Sequence, residues 1–191
     1  MAWSLEEAMK RTGVLKEGHF LLSSGRHSAR YIQCAQLLMH PADAGKTGQA
    51  LAGKFQDTSV DLVAGPALGG VIIAHEVARS LNVPCIFAER KEGVMQLRRG
   101  FHVEPGQKVL VVEDVVTTGG SVKEVIRLLE DRKADVVAVG SIVDRTGGKN
   151  PFQHPYQALK KVEIQSFDPE DCPLCKKGIP VTKPGSRGDN N

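Results

Sequence analysis

The chain has 191 residues, of which 41% are hydrophobic and 25% charged, and its formal net charge is +3. This profile is typical of one globular domain, and so small a charge does not indicate a nucleic-acid-binding protein. No apolar run approaches the ~20 residues of a membrane span, and the N-terminal stretch lacks the features of a signal peptide. Four cysteines are too few for a disulfide scaffold. The sequence therefore predicts a cytoplasmic protein without nucleic-acid or membrane partners.

The first part of the chain predicts two helices with short strands between them. Residues 4–7, Ser-Leu-Glu-Glu, form a capping box, which predicts a helix that ends at the Thr12–Gly13 break. Residues 18–33 carry short apolar pieces around a Ser-Ser-Gly turn, which predicts short strands or an extended loop. Pro41 can open a helix at its first turn, and this helix should continue to Phe55.

From residue 60 onward, apolar runs alternate with segments of helical spacing. The runs predict strands at residues 60–64, 84–88, 109–112, 136–143 and, more weakly, 162–167. Strands that are apolar on both faces and alternate with helices indicate a parallel sheet covered on both sides. The predicted fold class is therefore α/β, with a central, mostly parallel, five-stranded sheet and helices on both faces.

Two segments do not follow this alternation. Lys91–Gln107 contains several basic residues and glycines without an apolar core pattern, so we expect a long functional or mobile loop. Residues 183–191 are polar, and they are predicted to form a flexible tail.

The sequence VLVVEDVVTTGGSV, residues 109–122, predicts a ligand site at the end of a strand. Ligands of open α/β sheets bind beyond the carboxyl ends of the strands, and the N-terminus of the helix that follows favours an anion. Gly119 and Gly120 would let the backbone approach this anion closely. Three hydroxyl side chains add further donors: Thr117, Thr118 and Ser121.

The adjacent acids Glu113 and Asp114 indicate that the anion belongs to a hydroxylated molecule. A carboxylate repels a phosphate unless something lies between them, and ionised carboxylates accept hydrogen bonds from ribose hydroxyls. A phosphorylated sugar fits both parts of the motif. For the two acids alone, a strand-to-helix turn with solvated carboxylates is the alternative, but the full string favours the sugar phosphate.

Two other phosphate-binding motifs do not match the chain. A Walker A loop needs an earlier glycine where His40 precedes Gly45-Lys46-Thr47. No predicted strand is followed by G-x-G-x-x-G. A nucleotide triphosphatase and a dinucleotide-dependent dehydrogenase are therefore disfavoured.

Residues 109–121 resemble the phosphoribosyl-diphosphate (PRPP) signature of the type I phosphoribosyltransferases, and within them the chain is similar to the orotate phosphoribosyltransferases. Four further pieces follow in the family's order: HFLLSSGRHSARYI at 19–32, GPALGG at 65–70, ERKEG at 89–93 and VDRTGG at 143–148. The resemblance implies the type I fold in a single domain, residues 1–182. Its core would be residues 41–167, beneath a small hood made mainly of residues 1–40, to which residues 168–182 could add.

The resemblance also implies an activity. Orotate would attack C1 of PRPP, giving orotidine 5′-monophosphate and pyrophosphate in pyrimidine biosynthesis. Mg²⁺ would be held mainly by PRPP and pyrophosphate oxygens, so no residue is assigned as a metal ligand. Because C1 becomes oxocarbenium-like, the protein mainly positions the reactants, stabilises departing charge and excludes water. A family loop that closes over the neighbouring subunit's site implies a homodimer.

The same resemblance assigns roles to single residues. The implied PRPP-binding residues are Arg90, Lys91, Glu113, Asp114, Val115, Val116, Thr117, Thr118, Gly119, Gly120 and Ser121. Thr117 and Arg145 would contact orotate, since a planar guanidinium can form two parallel hydrogen bonds with its carboxylate. The implied catalytic residues are Asp114, Lys91 and Arg99.

The chain departs from the family pattern at three places. Ser23 and Leu68–Gly69 stand where many members have lysine and Tyr-Lys, and residues 93–95 replace the usual loop sequence after Lys91-Glu92. Two lysines and a loop acid are therefore missing from their usual places. Three later side chains could supply the charge: Arg98, Arg99 and His102. The alternative is a solvated basic loop.

The pair Cys172 and Cys175 has the spacing of zinc ligands, but it provides only two of the four that a closed site needs. The candidate partners are Cys34, Cys85 and His154. A redox pair, structural thiols or a tight turn are the alternatives. His19 and His27 are interpreted as surface or hood residues, and His27 could approach the substrate.

Two other functions remain open at this point. One is phosphoribosyl transfer to another base such as a purine, although purine enzymes usually stack an aromatic side chain and aromatic residues total only 5%. The other is a non-catalytic regulatory protein that binds PRPP and could bind RNA. The missing lysines argue for this non-catalytic function. Turnover of orotate with PRPP and Mg²⁺ separates the three functions.

Overall fold

The computed structural model describes residues 3–22 and 24–184. The strands are β1 Leu15–Leu21, β2 His27–Ile32, β3 Leu62–Pro66, β4 Cys85–Lys91, β5 Val94–Leu97, β6 Lys108–Val116, β7 Asp135–Asp144 and β8 Tyr156–Lys161. The helices are α1 Leu5–Arg11, α2 Ala35–Leu38, α3 Pro41–Ala52, α4 Gly69–Leu81, α5 Gly120–Glu130 and α6 Pro173–Lys176. No helix within this described part is long and apolar enough to cross a membrane. Most of the predicted tail, residues 185–191, lies outside the described residues.

Six strands form the central sheet in the order β5-β4-β3-β6-β7-β8, and only β5 runs antiparallel to its neighbour. The predicted α/β fold with a mostly parallel sheet is confirmed, but the sheet has six strands instead of five. The additional strand β5 lies within the predicted loop Lys91–Gln107. A two-residue turn at Glu92 and Gly93, both with positive φ, joins it to β4. The prediction of a segment without a core was wrong, because Met95 and Val103 are buried.

The last strand also differs from its prediction. Strand β8 covers Tyr156–Lys161, whereas the weak apolar run at 162–167 lies beyond it. An edge strand that is half exposed does not need a continuous apolar run. Val162 and Ile164 pack against the main apolar cluster after the strand has ended.

Helices cover both faces of the sheet, as the apolar strands predicted. On one face, Leu51 of α3 and Val77 of α4 pack with Leu110 of β6. On the other face, Val125 of α5 packs with Val111 of β6. Successive residues of β6 thus point into two separate apolar layers, which explains why its sequence is apolar from Val109 to Val112.

The strand order reverses between β3 and β6. Strand β3 continues through α4 to β4 on one side, and β6 continues through α5 to β7 on the other. Helices α4 and α5 therefore lie on opposite faces, and the carboxyl ends of β3 and β6 frame a crevice. Ligands of open α/β sheets bind at this type of switch point.

The N-terminal segment forms helix α1 and a separate antiparallel hairpin of β1 and β2. The predicted cap is confirmed, because Ser4 Oγ accepts a hydrogen bond of 3.2 Å from the backbone N–H of Glu7. Ala8 and Ile32 belong to the same apolar cluster as α3 and α4. This shared burial fixes the hairpin to the rest of the molecule.

The C-terminal segment returns to this hairpin. Phe167 and His27 exchange backbone hydrogen bonds of 2.8 and 2.9 Å, and Thr182 pairs with Phe20. The C-terminal segment, as far as Thr182, therefore lies beside the N-terminal hairpin. The division into a hood and a core at residues 40 and 41 stays a prediction.

Candidate active site

The acid pair lies at the crevice between β3 and β6. Glu113 Oε1 accepts a hydrogen bond of 3.0 Å from Asp114 N, and Asp114 Oδ1 accepts one of 2.8 Å from Val115 N. The first residues of α4 lie directly beside these carboxyl groups. A Cβ atom on Gly69 would lie 2.7 Å from Asp114 Oδ1, and one on Gly70 would lie 3.1 Å from Glu113 Oε1. The Gly-Gly pair thus allows the N-terminus of α4 to approach both acids.

The two acids have different electrostatic environments. The side chain of Glu113 is buried, and this burial, followed by the charge of Asp114, raises the pKa of Glu113 well above its ordinary value. Glu113 therefore keeps its proton over a wider pH range and can donate a hydrogen bond. Burial within the sheet disfavours the charged form of Glu113, and its predicted role as an ionised acceptor stays a prediction.

The N-terminus of α5 follows β6 through residues 117–119. This helix has no side-chain cap and no acidic residue in its first turn. Its first turn closes with a hydrogen bond of 2.8 Å from Lys123 N to Gly119 O. The N–H groups of residues 120–122 therefore remain available to a ligand, and the helix dipole favours an anion there.

The two glycines of this turn have different roles. Gly119 has a φ of +73°, and a Cβ atom there would lie 2.7 Å from a ring carbon of Phe152. Its backbone conformation and packing require glycine, and the close approach of its backbone to an anion stays a prediction. Gly120 is open, since a Cβ atom there would meet only Thr118 Oγ1 at 3.7 Å. Gly120 is the glycine that leaves space for an anion.

Two further residues of the motif contribute only backbone groups to the site. Val115 and Val116 pack into the two apolar layers, so only their backbone is available to a ligand.

Lys123 was not identified from the sequence as part of the site. Its Nζ atom donates a hydrogen bond of 3.3 Å to Thr118 O, which places a cation beside the α5 N-terminus. The sequence signal that could have identified Lys123 is its position in the first turn of the predicted helix.

Arg145 follows β7 directly and lies beside the end of β6, because its N–H donates a hydrogen bond of 2.8 Å to Val116 O. Burial lowers the pKa of the Arg145 guanidinium. Across residues 3–22 and 24–184, no carboxylate forms an ion pair with it, and its buried Nε atom has no hydrogen-bond partner. The neighbouring Asp144 accepts instead from Thr146 N at 2.7 Å. A partly desolvated cation without an acid partner is suited to bind an anionic ligand.

Tyr31 brings the N-terminal hairpin to the site. Burial and then the charge of Asp114 raise the pKa of Tyr31, while the charge of Arg145 lowers it. The phenol therefore lies within electrostatic reach of both groups. Sequence analysis missed this residue, since only the tertiary fold brings β2 to the ends of β6 and β7.

The two basic residues at the end of β4 have different surroundings. Arg90 forms an ion pair of 2.6 Å with Glu124 of α5 and donates a hydrogen bond of 2.9 Å to Gly93 O. Lys91 is the last residue of β4, and its side chain is exposed. Of the two predicted pyrophosphate-binding residues, Arg90 is therefore already engaged by an acid.

The later basic residues cluster around one acid. Arg99 Nε lies 3.0 Å from Glu89 Oε1, and Arg98 Nη1 lies 3.5 Å from the same oxygen. The Arg99 guanidinium also lies 5.6 Å from the ring centroid of Phe87. His102 faces Glu104 at 3.6 Å. The predicted catalytic residue Arg99 is thus held by Glu89 of β4. Ser23, which stands where many family members have lysine, lies outside the described residues.

The cysteine pair does not meet the partners that the sequence suggested. Cys34 is buried in the main apolar cluster, and His154 Nε2 contacts Glu130 at 3.1 Å. Cys172 and Cys175 lie instead beside two histidines of the N-terminal hairpin, His19 and His27. Both histidines lie on the N-terminal hairpin, within the predicted hood, but they are buried and not at the surface.

The chain is similar to proteins of known family. The phosphoribosyl transferase domain family matches residues 33–172. The orotate phosphoribosyltransferase of Thermotoga maritima is 58% identical over 184 residues, which are 96% of this chain and 98% of that protein.

Two solved structures are similar in fold. The crystal structure of orotate phosphoribosyltransferase from Aeropyrum pernix has a TM-score of 0.69 and 26% identity, over 83% of this chain and 94% of that chain. The structure of Leishmania donovani UMP synthase has a TM-score of 0.72 and 25% identity, over 82% of this chain. The chain spans about a third of that longer protein, 35% of its length.

Proposed function

The chain belongs to the phosphoribosyltransferase family, as one of its orotate phosphoribosyltransferases, and we propose how its site carries out the reaction. The enzyme transfers the phosphoribosyl group of PRPP to orotate and yields orotidine 5′-monophosphate and pyrophosphate in pyrimidine biosynthesis. The resemblance predicted from residues 109–121 is confirmed. The roles given below to single residues are proposals argued from the geometry of the site.

PRPP has an anion at each end and hydroxyl groups between them, and the crevice has the complementary arrangement. The 5′-phosphate binds the free N–H groups at the start of α5, with hydroxyl donors from Thr117, Thr118 and Ser121. The ribose hydroxyls meet Asp114 as acceptor and Glu113 as donor. The second uncapped helix N-terminus, that of α4, lies beside the acid pair and receives the pyrophosphate group.

Arg145 selects a base that carries a carboxylate. The single observation that carries this proposal is a partly buried guanidinium with no acid partner in the described part of the chain. Orotate supplies the missing carboxylate and can form two parallel hydrogen bonds with the planar fork. The hydroxyl of Thr117, on the loop after β6, completes the base-binding group in this proposal.

Catalysis in this site consists of positioning and electrostatic stabilisation. Asp114 holds the ribose while positive charge develops at C1, and the N-terminus of α4 stabilises the charge that leaves with pyrophosphate. Tyr31 closes the crevice from the side of the hairpin and reduces access of water to C1. No covalent nucleophile is required.

The donor set suits a Mg²⁺ ion that is bound mostly through the substrate. In the described residues, the only group of three or more His, Cys, Asp or Glu side chains with ligand geometry is a histidine–cysteine cluster away from the acid pair. Asp114 is the carboxylate available to a hard cation, since Glu113 is buried and its Oε1 atom is occupied. Asp114 and the substrate oxygens would hold Mg²⁺, which would supply charge neutralisation at the pyrophosphate, while the residues above orient the sugar.

The basic residues around β5 bring further positive charge to pyrophosphate. Lys91 is exposed at the end of β4 and can reach the crevice directly. Arg98 and Arg99 share Glu89, so we propose that they contact pyrophosphate only after this ion pair opens. Arg90 is held by Glu124 and positions the first turns of α5.

The enzyme acts as a homodimer in this proposal. Three apolar side chains near the contact between α2 and α4 are exposed, which supports an interface there: Met39, Leu68 and Ile72. The four cysteines are unpaired, which supports a reducing, cytoplasmic location. Light scattering of the native protein tests the dimer, and a Met39→Glu variant should shift it toward monomer.

The activity is tested with purified protein, PRPP, Mg²⁺ and orotate, with the loss of orotate absorbance as the readout. We expect turnover of orotate and none of uracil or adenine. Turnover of adenine in preference to orotate would contradict the role of Arg145. Binding of PRPP without turnover of any base would indicate a regulatory protein instead.

A further inference from the structure

Four side chains that can bind a metal converge where the C-terminal segment lies beside the N-terminal hairpin. They are His19 of β1, His27 of β2, and Cys172 and Cys175 at either end of a tight turn. One ligand atom from each lies within 4.8 Å of the other three. His19 Nε2 and His27 Nδ1 are 2.9 Å apart, and Cys175 Sγ lies 3.8 and 3.3 Å from them.

The two separations of Cys175 Sγ, 3.3 and 3.8 Å, match the edges of a small coordination tetrahedron, whereas the two histidine nitrogens, 2.9 Å apart, lie closer than such an edge. Zinc bonds of about 2.0–2.1 Å to nitrogen and about 2.3 Å to sulfur give edges of roughly 3.3–3.8 Å. The distance between Cys172 Sγ and His19 Nε2 is 3.5 Å. Small movements of the side chains are enough to place all four atoms around one ion.

The hydrogen bonds of His19 prepare it to act as a ligand. Its Nδ1 atom lies 2.7 Å from the carbonyl oxygen of Ile179, so this nitrogen carries the proton and donates it to the carbonyl. The Nε2 atom is then unprotonated, and it lies 2.9 Å from His27 Nδ1 and 3.5 Å from Cys172 Sγ. A backbone carbonyl that fixes the tautomer in this way is typical of zinc-bound histidine.

The burial of the cluster is unusual for its surroundings. Cys172 is fully buried and His19 is 3% exposed, yet Cys172 is the only buried residue between 168 and 184. The nearby apolar residues Ile179 and Val181 are 41% and 46% exposed. A segment with so little apolar burial needs another source of stability, and a structural metal is one such source.

We propose that these four residues form a structural Zn²⁺ site that fastens the C-terminal segment to the N-terminal hairpin. Two thiolates and two imidazoles in a closed tetrahedron favour Zn²⁺ over Mg²⁺, which prefers oxygen ligands. Binding at neutral pH displaces one proton from each thiol, and no oxidation takes place. This site is separate from the Mg²⁺ that accompanies PRPP, and it does not depend on the proposed catalytic roles.

Metal analysis of the native full-length protein, purified with a reductant and without a histidine tag, tests the proposal. We expect one zinc ion per chain by mass spectrometry, and a Co²⁺-substituted protein with the absorption of a tetrahedral thiolate site. Removal of the metal with a chelator should lower the Tm by several degrees, and added ZnCl₂ should restore it. These readouts do not involve the activity of the enzyme.

Variants separate the cluster from the other thiols. Cys175→Ser removes the most exposed ligand and should lose most of the zinc, whereas Cys85→Ser, outside the cluster, should retain it. The proposal is overturned if the native protein contains no zinc and ZnCl₂ leaves its Tm unchanged. A Cys172–Cys175 disulfide in the native protein would equally exclude the site.

Discussion

Substitutions at the adjacent residues Gly119 and Gly120 test the stability of the fold and the binding of PRPP separately. Gly119→Ala places a side chain at a φ of +73°, which costs about 1 kcal/mol. Its Cβ atom would also lie 2.7 Å from the ring of Phe152, and relief of this overlap costs about 1–3 kcal/mol. For a chain of this size, each kcal/mol lowers the Tm by about 2–4 °C. The Tm of Gly119→Ala should therefore fall by about 5–15 °C.

Gly120→Ala is the matched control because it adds the same methyl group one residue later. Gly120 is the first residue of α5, and its Cβ atom would meet only Thr118 Oγ1 at 3.7 Å. Alanine is a better helix former than glycine by up to about 1 kcal/mol, so the Tm should stay constant or rise slightly. The methyl group points toward the proposed phosphate, and the KM for PRPP should rise about tenfold, the equivalent of about 1.4 kcal/mol.

The two measurements are thermal unfolding of the free protein and steady-state kinetics with varied PRPP. A Gly119→Ala protein with an unchanged Tm would refute the argument from backbone and packing. A Gly120→Ala protein with an unchanged KM would refute the placement of the 5′-phosphate at α5. Equal effects of both substitutions on both readouts would show that fold and ligand are not separable here.

The remaining predictions concern charge. Arg145→Ala should lower kcat/KM for orotate roughly a hundredfold through loss of about 3 kcal/mol of charged hydrogen bonding, and an unchanged value would remove it from the base site. Burial raises the pKa of Glu113 above its ordinary value of 4.5, so the folded protein loses stability as the pH rises above that value. Glu113→Gln should therefore raise the Tm at pH 8 and have little effect near pH 4, and a constant difference across this range would contradict a buried, protonated Glu113. Arg98→Ala with Arg99→Ala should reduce kcat/KM for PRPP about tenfold, and the Tm should also fall, because their partner Glu89 is only 17% exposed and would lose both of its cations. Unchanged kinetics would assign both arginines to a solvated loop.

The sequence predicted most of the sheet because its central strands are buried on both faces. Strands such as β6 and β7 contain apolar runs rich in valine, and this β-branched composition distinguishes them from buried helical segments. The edges of the sheet were predicted poorly. Strand β5 is short, and β8 is only half buried, so neither requires the apolar pattern that identifies a central strand.

The site was predictable where its residues are adjacent in the chain. Residues 109–122 contain the strand end, the acid pair and the helix start in one stretch, so their proximity needs no tertiary information. Tyr31 and the histidine–cysteine cluster could not be found in this way. Cys172 and His27 come together only because the C-terminal segment pairs with the hairpin, and local spacing does not encode that pairing.

The reversal of strand order gives bound PRPP a mechanical role. Helix α4 belongs to one apolar layer and α5 to the other, and in the proposed complex one small molecule bridges their first turns. The bound substrate then links the two helical layers, which otherwise contact each other only through the sheet. An enzyme filled with PRPP should accordingly resist proteolysis on both faces at once.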